Sequence, residues 1–293
     1  MNAAAYVLVS ALGFALMGLC VKIGDARGFP VMQMITARAL VSLVLSYWDI
    51  RRVGVSPWGN NPKLLWLRGA LGLAALIAVY TSLTRLPLAE ATLIQYLNPV
   101  FTAFLAWVFL GERVHKSTLT CLMLGIIGVI IIVNPLDFGG QILPIDAVGI
   151  GVLGAAGSGA AYTLLRYLSR TEHSSVIVLY FPLVCLPVSV ALGWPQFIMP
   201  VGMDWILLIA IGIFTQMGQV GLTRGMALES AGRVAALSYI QVVFAALLGI
   251  IFLHDTVFLN TFIGGALIIG GALISQRSNH LHAATRVEPP GPG

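Results

Sequence analysis

Arg38 stands in the middle of an apolar run, VMQMITARALVSLVL (31–45). If that run crosses a bilayer, a central guanidinium costs roughly 2.5–3.5 kcal/mol and needs a partner. No acidic residue sits at matching depth, because Asp25, Asp49 and Glu90 all lie near the ends of apolar runs. The planar guanidinium fork suits a carboxylate or phosphate; bonds to helix-end carbonyls or to Glu90, locking helices together, would satisfy it equally. A second group is Gln95, Tyr96, Asn98 and Pro99. Pro99 has no N–H to give the Gln95 carbonyl, so a helix through it should kink. A freed carbonyl beside two amides is tolerated only against protein or a watery cavity, which makes a binding wall or a packing hinge. Ser238, Tyr239 and Gln241 form a third group, and Gln216, Gln219 and Thr223 share one helical face at i, i+3 and i+7. Four glutamines exceed what a lipid-facing surface carries, although polar side chains also join helices at about 0.6 kcal/mol each. Tyr80, Trp107 and Tyr162 either line the same pathway or pack, and Glu90 is the nearest carboxylate for proton coupling, with exchange or facilitated diffusion the equal alternative.

The elements that must carry these residues are ten apolar stretches, near 3–22, 30–48, 66–84, 89–110, 117–134, 147–166, 175–193, 205–223, 233–253 and 257–275. Each is close to the roughly 20 residues a membrane helix needs. Over 293 residues, 58% hydrophobic and 9% charged composition excludes a soluble domain, where about 25% of residues are charged. The expected fold is therefore an all-α polytopic membrane protein. The formal charge of +5 is spread over successive connections without a dense patch, so it speaks for membrane orientation and against nucleic acid. The first stretch lacks a basic segment before it and is too long for a signal peptide, so it is read as the first helix. Cys20, Cys121 and Cys185 have no metal-type spacing and are expected to pack. No metal or cofactor is expected.

With the N-terminus in the cytoplasm, 12 of the 16 Lys and Arg residues fall inside, Arg68 among them. Only Lys22, Arg27 and Arg85 fall outside, and Arg38 lies within a helix. Both termini are thus expected in the cytoplasm of a bacterial inner-membrane protein. A shift of 143 lays LTRLPLAEATLIQYLNPVFTAFLAWVFLGE (83–112) over MALESAGRVAALSYIQVVFAALLGIIFLHD (226–255). In each copy the matched segment is the fourth helix of five, followed by a polar turn and a Gly-rich fifth helix. Five is odd, so the second copy must enter the membrane from the opposite side. Two inverted five-helix repeats, 1–135 and 146–276 with a disordered cytoplasmic tail at 277–293, would give a molecule open to either side around a shared site. That arrangement predicts transport.

On these residues the chain resembles an EamA-type transporter of the drug/metabolite transporter superfamily. The resemblance rests on Lys22, Arg38, LPLAEATLIQYLNPVF (86–101), FLGE (109–112) and GIIGVIIIV (125–133). The second copy is degenerate: FLHD (252–255) replaces FLGE, Val242 replaces Pro99, and Pro182 stands near the Arg38 equivalent. The resemblance implies a ten-helix basket whose cavity is lined mainly by helices 1, 3, 4, 6, 8 and 9. It leaves the substrate open among amino acids, vitamins, nucleoside-like compounds and other metabolites.

An intramembrane enzyme is not expected. His115, His173, His254, His280 and His282 all fall in connections or the tail, and Ser158 lacks a buried His partner. GERVHKST (111–118) lacks the Gly of a phosphate loop before Lys116. The sequence reading is a secondary transporter working by alternating access, exporting an amino acid or related metabolite. An uptake carrier for a vitamin or nucleoside-like metabolite is the alternative, and a membrane scaffold or receptor the reading from another class. Its partners are lipid and a small metabolite; monomer or homodimer stays open. The candidate site is Arg38, Tyr80, Gln95, Tyr96, Asn98, Trp107, Tyr162, Gln216, Gln219, Ser238, Tyr239 and Gln241, with Pro99 as hinge and Glu90 for coupling.

Overall fold

Helix after helix follows the apolar stretches in a computed structural model that describes residues 3–110, 116–133, 143–168, 171–228, 238, 240–256 and 258–284. The elements are α1 (Ala3–Ala26), α2 (Val31–Val53), α3 (Pro62–Arg85), α4 (Leu88–Gln95), α5 (Asn98–Leu110), α6 (Lys116–Val133), α7 (Ile145–Leu168), α8 (Ser174–Gly193), α9 (Asp204–Leu228), α10 (Ile240–Leu248) and α11 (Leu259–Ala284). Six of them, α1, α2, α3, α7, α8 and α9, are long and apolar enough to cross a membrane, and three shorter apolar helices span 123–132, 240–253 and 259–271.

Local chemistry sets the ends. Pro30, Pro87 and Pro144 precede α2, α4 and α7, in keeping with proline's preference for helix starts. Gly54 closes α2 in the left-handed region at φ 74°, its N–H bonded to the Ile50 carbonyl at 2.9 Å. Pro62 opens α3 four residues before the start expected at 66, and α2 runs past 48 to Val53. The connection expected from Asp49 to Leu65 is therefore a short turn, and Arg68 is inside a helix. The expected kink is a break: Tyr96 and Leu97 turn between α4 and α5, and the Leu97 N–H bonds to the Ile94 carbonyl at 3.1 Å. The last helix runs to Ala284, beyond the Gln276 boundary read from sequence, because RSNHLHAA holds no helix breaker. The tail past it lies outside the described residues.

The largest packing surfaces are α1 with α9, α6 with α11, α3 with α7, and α2 with α8. Further pairs are α5 with α7, α2 with α9, α3 with α8, and α1 and α4 with α10. Every one of these joins an element before residue 135 to one after 144. Small residues permit the approach: a Cβ on Gly128 would meet the Gly264 carbonyl at 2.6 Å, and one on Gly264 would meet the Gly128 carbonyl at 2.5 Å.

Polar contacts between connections fall into two sets. In one, Arg27 pairs with Asp204 at 2.6 Å, Arg85 pairs with Asp146 at 2.9 Å, and the Asp255 carboxylate accepts from the Leu88 N–H at 3.1 Å. These belong to the turns that follow the first, third, fifth, seventh and ninth apolar stretches. In the other, Glu172 accepts from the N–H groups of Asn60 and Asn61 at 2.7 and 2.6 Å, and Ser175 donates to Asp49 at 2.6 Å. These belong to the turns after the second and sixth. No described contact mixes the sets, as expected of helices that alternate between two faces.

Candidate substrate-binding site

Arg38 on α2 reaches inward and is 4% exposed. Among the described residues its one hydrogen bond is a long one, Nη1 to the Tyr80 hydroxyl at 3.4 Å, and its guanidinium lies over two rings, Tyr80 at 5.7 Å and Phe181 at 5.2 Å. Among those residues it bonds neither to helix-end carbonyls nor to Glu90, the partners raised by the sequence. Tyr80 on α3 is fully buried, and its hydroxyl donates to Met17 Sδ at 3.2 Å.

Arg68 is the residue that the sequence reading assigned to the cytoplasmic side. It is 5% exposed, two turns into α3, with its guanidinium 5.1 Å from the same Phe181 ring. The counting of basic residues hid it, because Arg near the start of a span reads as a boundary charge. Arg68 already lies inside the stretch read as 66–84, and the start of α3 at Pro62 sets it two turns from the helix end. Phe181 fits against α3 because Gly72 has no side chain; a Cβ there would meet the ring at 2.7 Å.

Arg38, Ser42, Arg68, Val178, Phe181, Thr215, Gln216 and Gln219 enclose a cavity of about 10 Å³, enough for one water and no metabolite. Its walls are α2, α3, α8 and α9, so it differs from the expected lining by keeping the third and eighth spans while adding the second and seventh. Gln216 donates to Ser46 Oγ at 3.2 Å, leaving Gln216 Oε1 without a partner. Half-buried Tyr162 on α7 is in electrostatic range of both guanidinium groups. The walls thus offer two cations, hydroxyls and amides, and no carboxylate.

The other candidates gather elsewhere. Gln95 donates to Ser158 Oγ at 2.9 Å, joining α4 to α7. The Tyr96 hydroxyl donates to the Ser238 carbonyl and lies 2.9 Å from Gln241 Oε1, tying the α4–α5 break to α10. The Asn98 carbonyl accepts from Thr102 Oγ1 at 2.8 Å. Thr223 donates back to the Gln219 carbonyl at 2.8 Å. Tyr239 and the side chains of Trp107, Pro99 and Cys121 lie outside the described residues. Cys20 and Cys185 are buried and free.

Glu90 is far from the helix end in exposure, at 4%, and Thr261 Oγ1 on α11 donates to it at 2.7 Å. Lys22 donates to the Leu86 carbonyl and faces Glu90, Asp25 and Asp255. Asp255 follows a π-helical turn, Gly249–Leu253, and His254 at φ 56°, which aim its carboxylate at the start of α4.

Comparison with known proteins decides the family. The model of the EamA-like transporter family matches residues 1–134 and 147–276. The chain belongs to the EamA-like transporter family. It is 30% identical over 272 residues to the pseudopaline exporter CntI of Pseudomonas aeruginosa, covering 92% of this chain and 94% of that one. It is 32% identical to human solute carrier family 35 member G1, covering 90% of this chain and 75% of the relative. A solved crystal structure superimposes with a TM-score of 0.62 at 21% identity over 95% of this chain and 98% of the other, which is a likeness of fold. This EamA-like chain is a multi-pass membrane protein of a transporter family.

Proposed function

We propose that this chain is a secondary carrier that exports a small anionic or zwitterionic metabolite, an amino acid or close relative, across a bacterial inner membrane by alternating access. Arg38 carries the reading: a guanidinium buried without a carboxylate partner among the described residues, in a cavity walled by amides and hydroxyls. A substrate carboxylate would supply the missing charge. The relative named as an exporter supports outward movement.

Two repeats of opposite sense, 1–135 and 146–276, would supply the two-sided motion. The set of packed helix pairs maps onto itself when the two groups of five are exchanged, which supports this. So does the register of the polar contacts: Asp204, paired on one face, lies 143 positions after Asn61, which is bonded on the other. A cavity sized for one water fits a closed intermediate between two open forms. Glu90, with Lys22 and Asp255, would couple the motion to protons, and the excess of basic residues in alternate connections supports cytoplasmic termini.

The test is counterflow of labelled amino acids in proteoliposomes of the purified chain. Substrate-dependent exchange that saturates is expected; a folded protein with no flux of any metabolite tried would overturn the reading. Single cysteines in the turns at 27 and 60, labelled from each side of intact cells, should react from opposite faces.

A further inference from the structure

Arg68 is a second cation in the same cavity, and nothing pairs with it. It forms no ion pair or hydrogen bond among the described residues, and its buried Nε and Nη1 lack partners. Burying an ion costs more than a single cation–π contact returns. Arg38 also lies over Tyr80, but Arg68 has only the Phe181 ring, which it shares with Arg38, among the described residues. Arg68 from α3 and Gln216 from α9 both line that cavity, and among the described residues Gln216 Oε1 is likewise buried without a partner.

Resting on the carrier reading above, we infer that the substrate is a short dicarboxylate carrying an amino or hydroxyl donor. One carboxylate sits on Arg38, the other on Arg68, and the donor reaches Gln216 Oε1. Planar forks take planar carboxylates in paired hydrogen bonds. Both guanidinium carbons lie within 5.2 Å of the Phe181 ring centroid; a single phosphate bridging both forks is the competing arrangement, which the glycerol 3-phosphate titration distinguishes. The side chains that leave room for one water must part to admit such a substrate, so binding and opening are one event.

The purified full-length chain in detergent is titrated with L-aspartate and L-malate, with L-serine and L-lactate as monocarboxylates, and with glycerol 3-phosphate, followed by thermal unfolding and calorimetry. The dicarboxylates should bind at least ~30-fold more tightly than the monocarboxylates, the scale of one lost buried charge contact. In Arg68→Gln that preference should disappear while monocarboxylate binding stays, and the empty protein should unfold no earlier than wild type, because an unpaired charge has left. If Arg68→Gln cannot be recovered folded, Arg68→Lys, which keeps the charge without the fork, should also lose most of the preference. Equal binding of mono- and dicarboxylates, preference for glycerol 3-phosphate, or an empty Arg68→Gln that unfolds earlier would each overturn the inference. Flux of monocarboxylate amino acids without a preference for diacids overturns this inference alone. A folded protein that moves no metabolite removes the carrier reading with it.

Discussion

Arg38 and Phe181 stand 143 positions apart and meet in space, the guanidinium carbon 5.2 Å from the ring centroid. That spacing equals the offset of the proposed repeats, and under that proposal a cation of one copy rests on the ring at the matching place in the other. Arg68 rests on the same ring. Phe181→Leu keeps an apolar side chain there but removes the π face from both cations. A loss of about 2 kcal/mol or more in unfolding free energy is expected, read by thermal melting in detergent.

Arg38→Met should separate a binding role from a structural one. Among the described residues its sole hydrogen bond is the 3.4 Å contact to Tyr80, so little native bonding is lost. Membrane insertion and melting temperature should match wild type or improve, while counterflow falls at least 100-fold. Loss of insertion would instead make Arg38 a packing residue.

Tyr96→Phe removes the hydroxyl that joins the α4–α5 break to α10. About 0.5–1.5 kcal/mol of stability should go with it. The proline-induced break then loses its tie to the second half, and transport should slow in proteoliposomes.

Glu90→Ala and Glu90→Gln should behave differently. Alanine strands the Thr261 hydroxyl at 4% exposure of its former partner, costing roughly 1–3 kcal/mol, whereas glutamine still accepts through Oε1. Under the coupling proposal Glu90→Gln, stable but uncharged, loses acceleration by a pH gradient. Unchanged acceleration would remove Glu90 from coupling.

Gly264→Ala places a methyl 2.5 Å from the Gly128 carbonyl, with Ile132 at the same distance. Backbone cannot swing away as a side chain can, so α6 and α11 must separate. A cost of about 1–3 kcal/mol is expected, measurable as a lower melting temperature.

Much of the fold was legible because apolar length and breaker residues act locally. Pro99 announced its break through a missing N–H, and Arg38 announced itself by its price in a membrane. Arg68 was not legible as a cavity residue, since a basic side chain two residues past the expected start of a span reads as a boundary charge. Phe181 gave no signal at all: a phenylalanine in an apolar run is indistinguishable from lipid-facing neighbours until Gly72 and the two cations stand around it. The partners of Glu90 came from Thr261 and the turn at Asp255, more than 160 residues away in sequence, where no local pattern reaches.

The leading helix pairs all join early chain to late chain. While the ribosome is still making the later residues, α1, α2 and α3 therefore wait in the bilayer without their main neighbours, with Arg38 and Arg68 lacking the ring on which they come to rest. Biogenesis must shelter those helices until α7, α8 and α9 emerge, and truncated chains should be cleared by membrane proteases, whereas two fragments made together should reassemble.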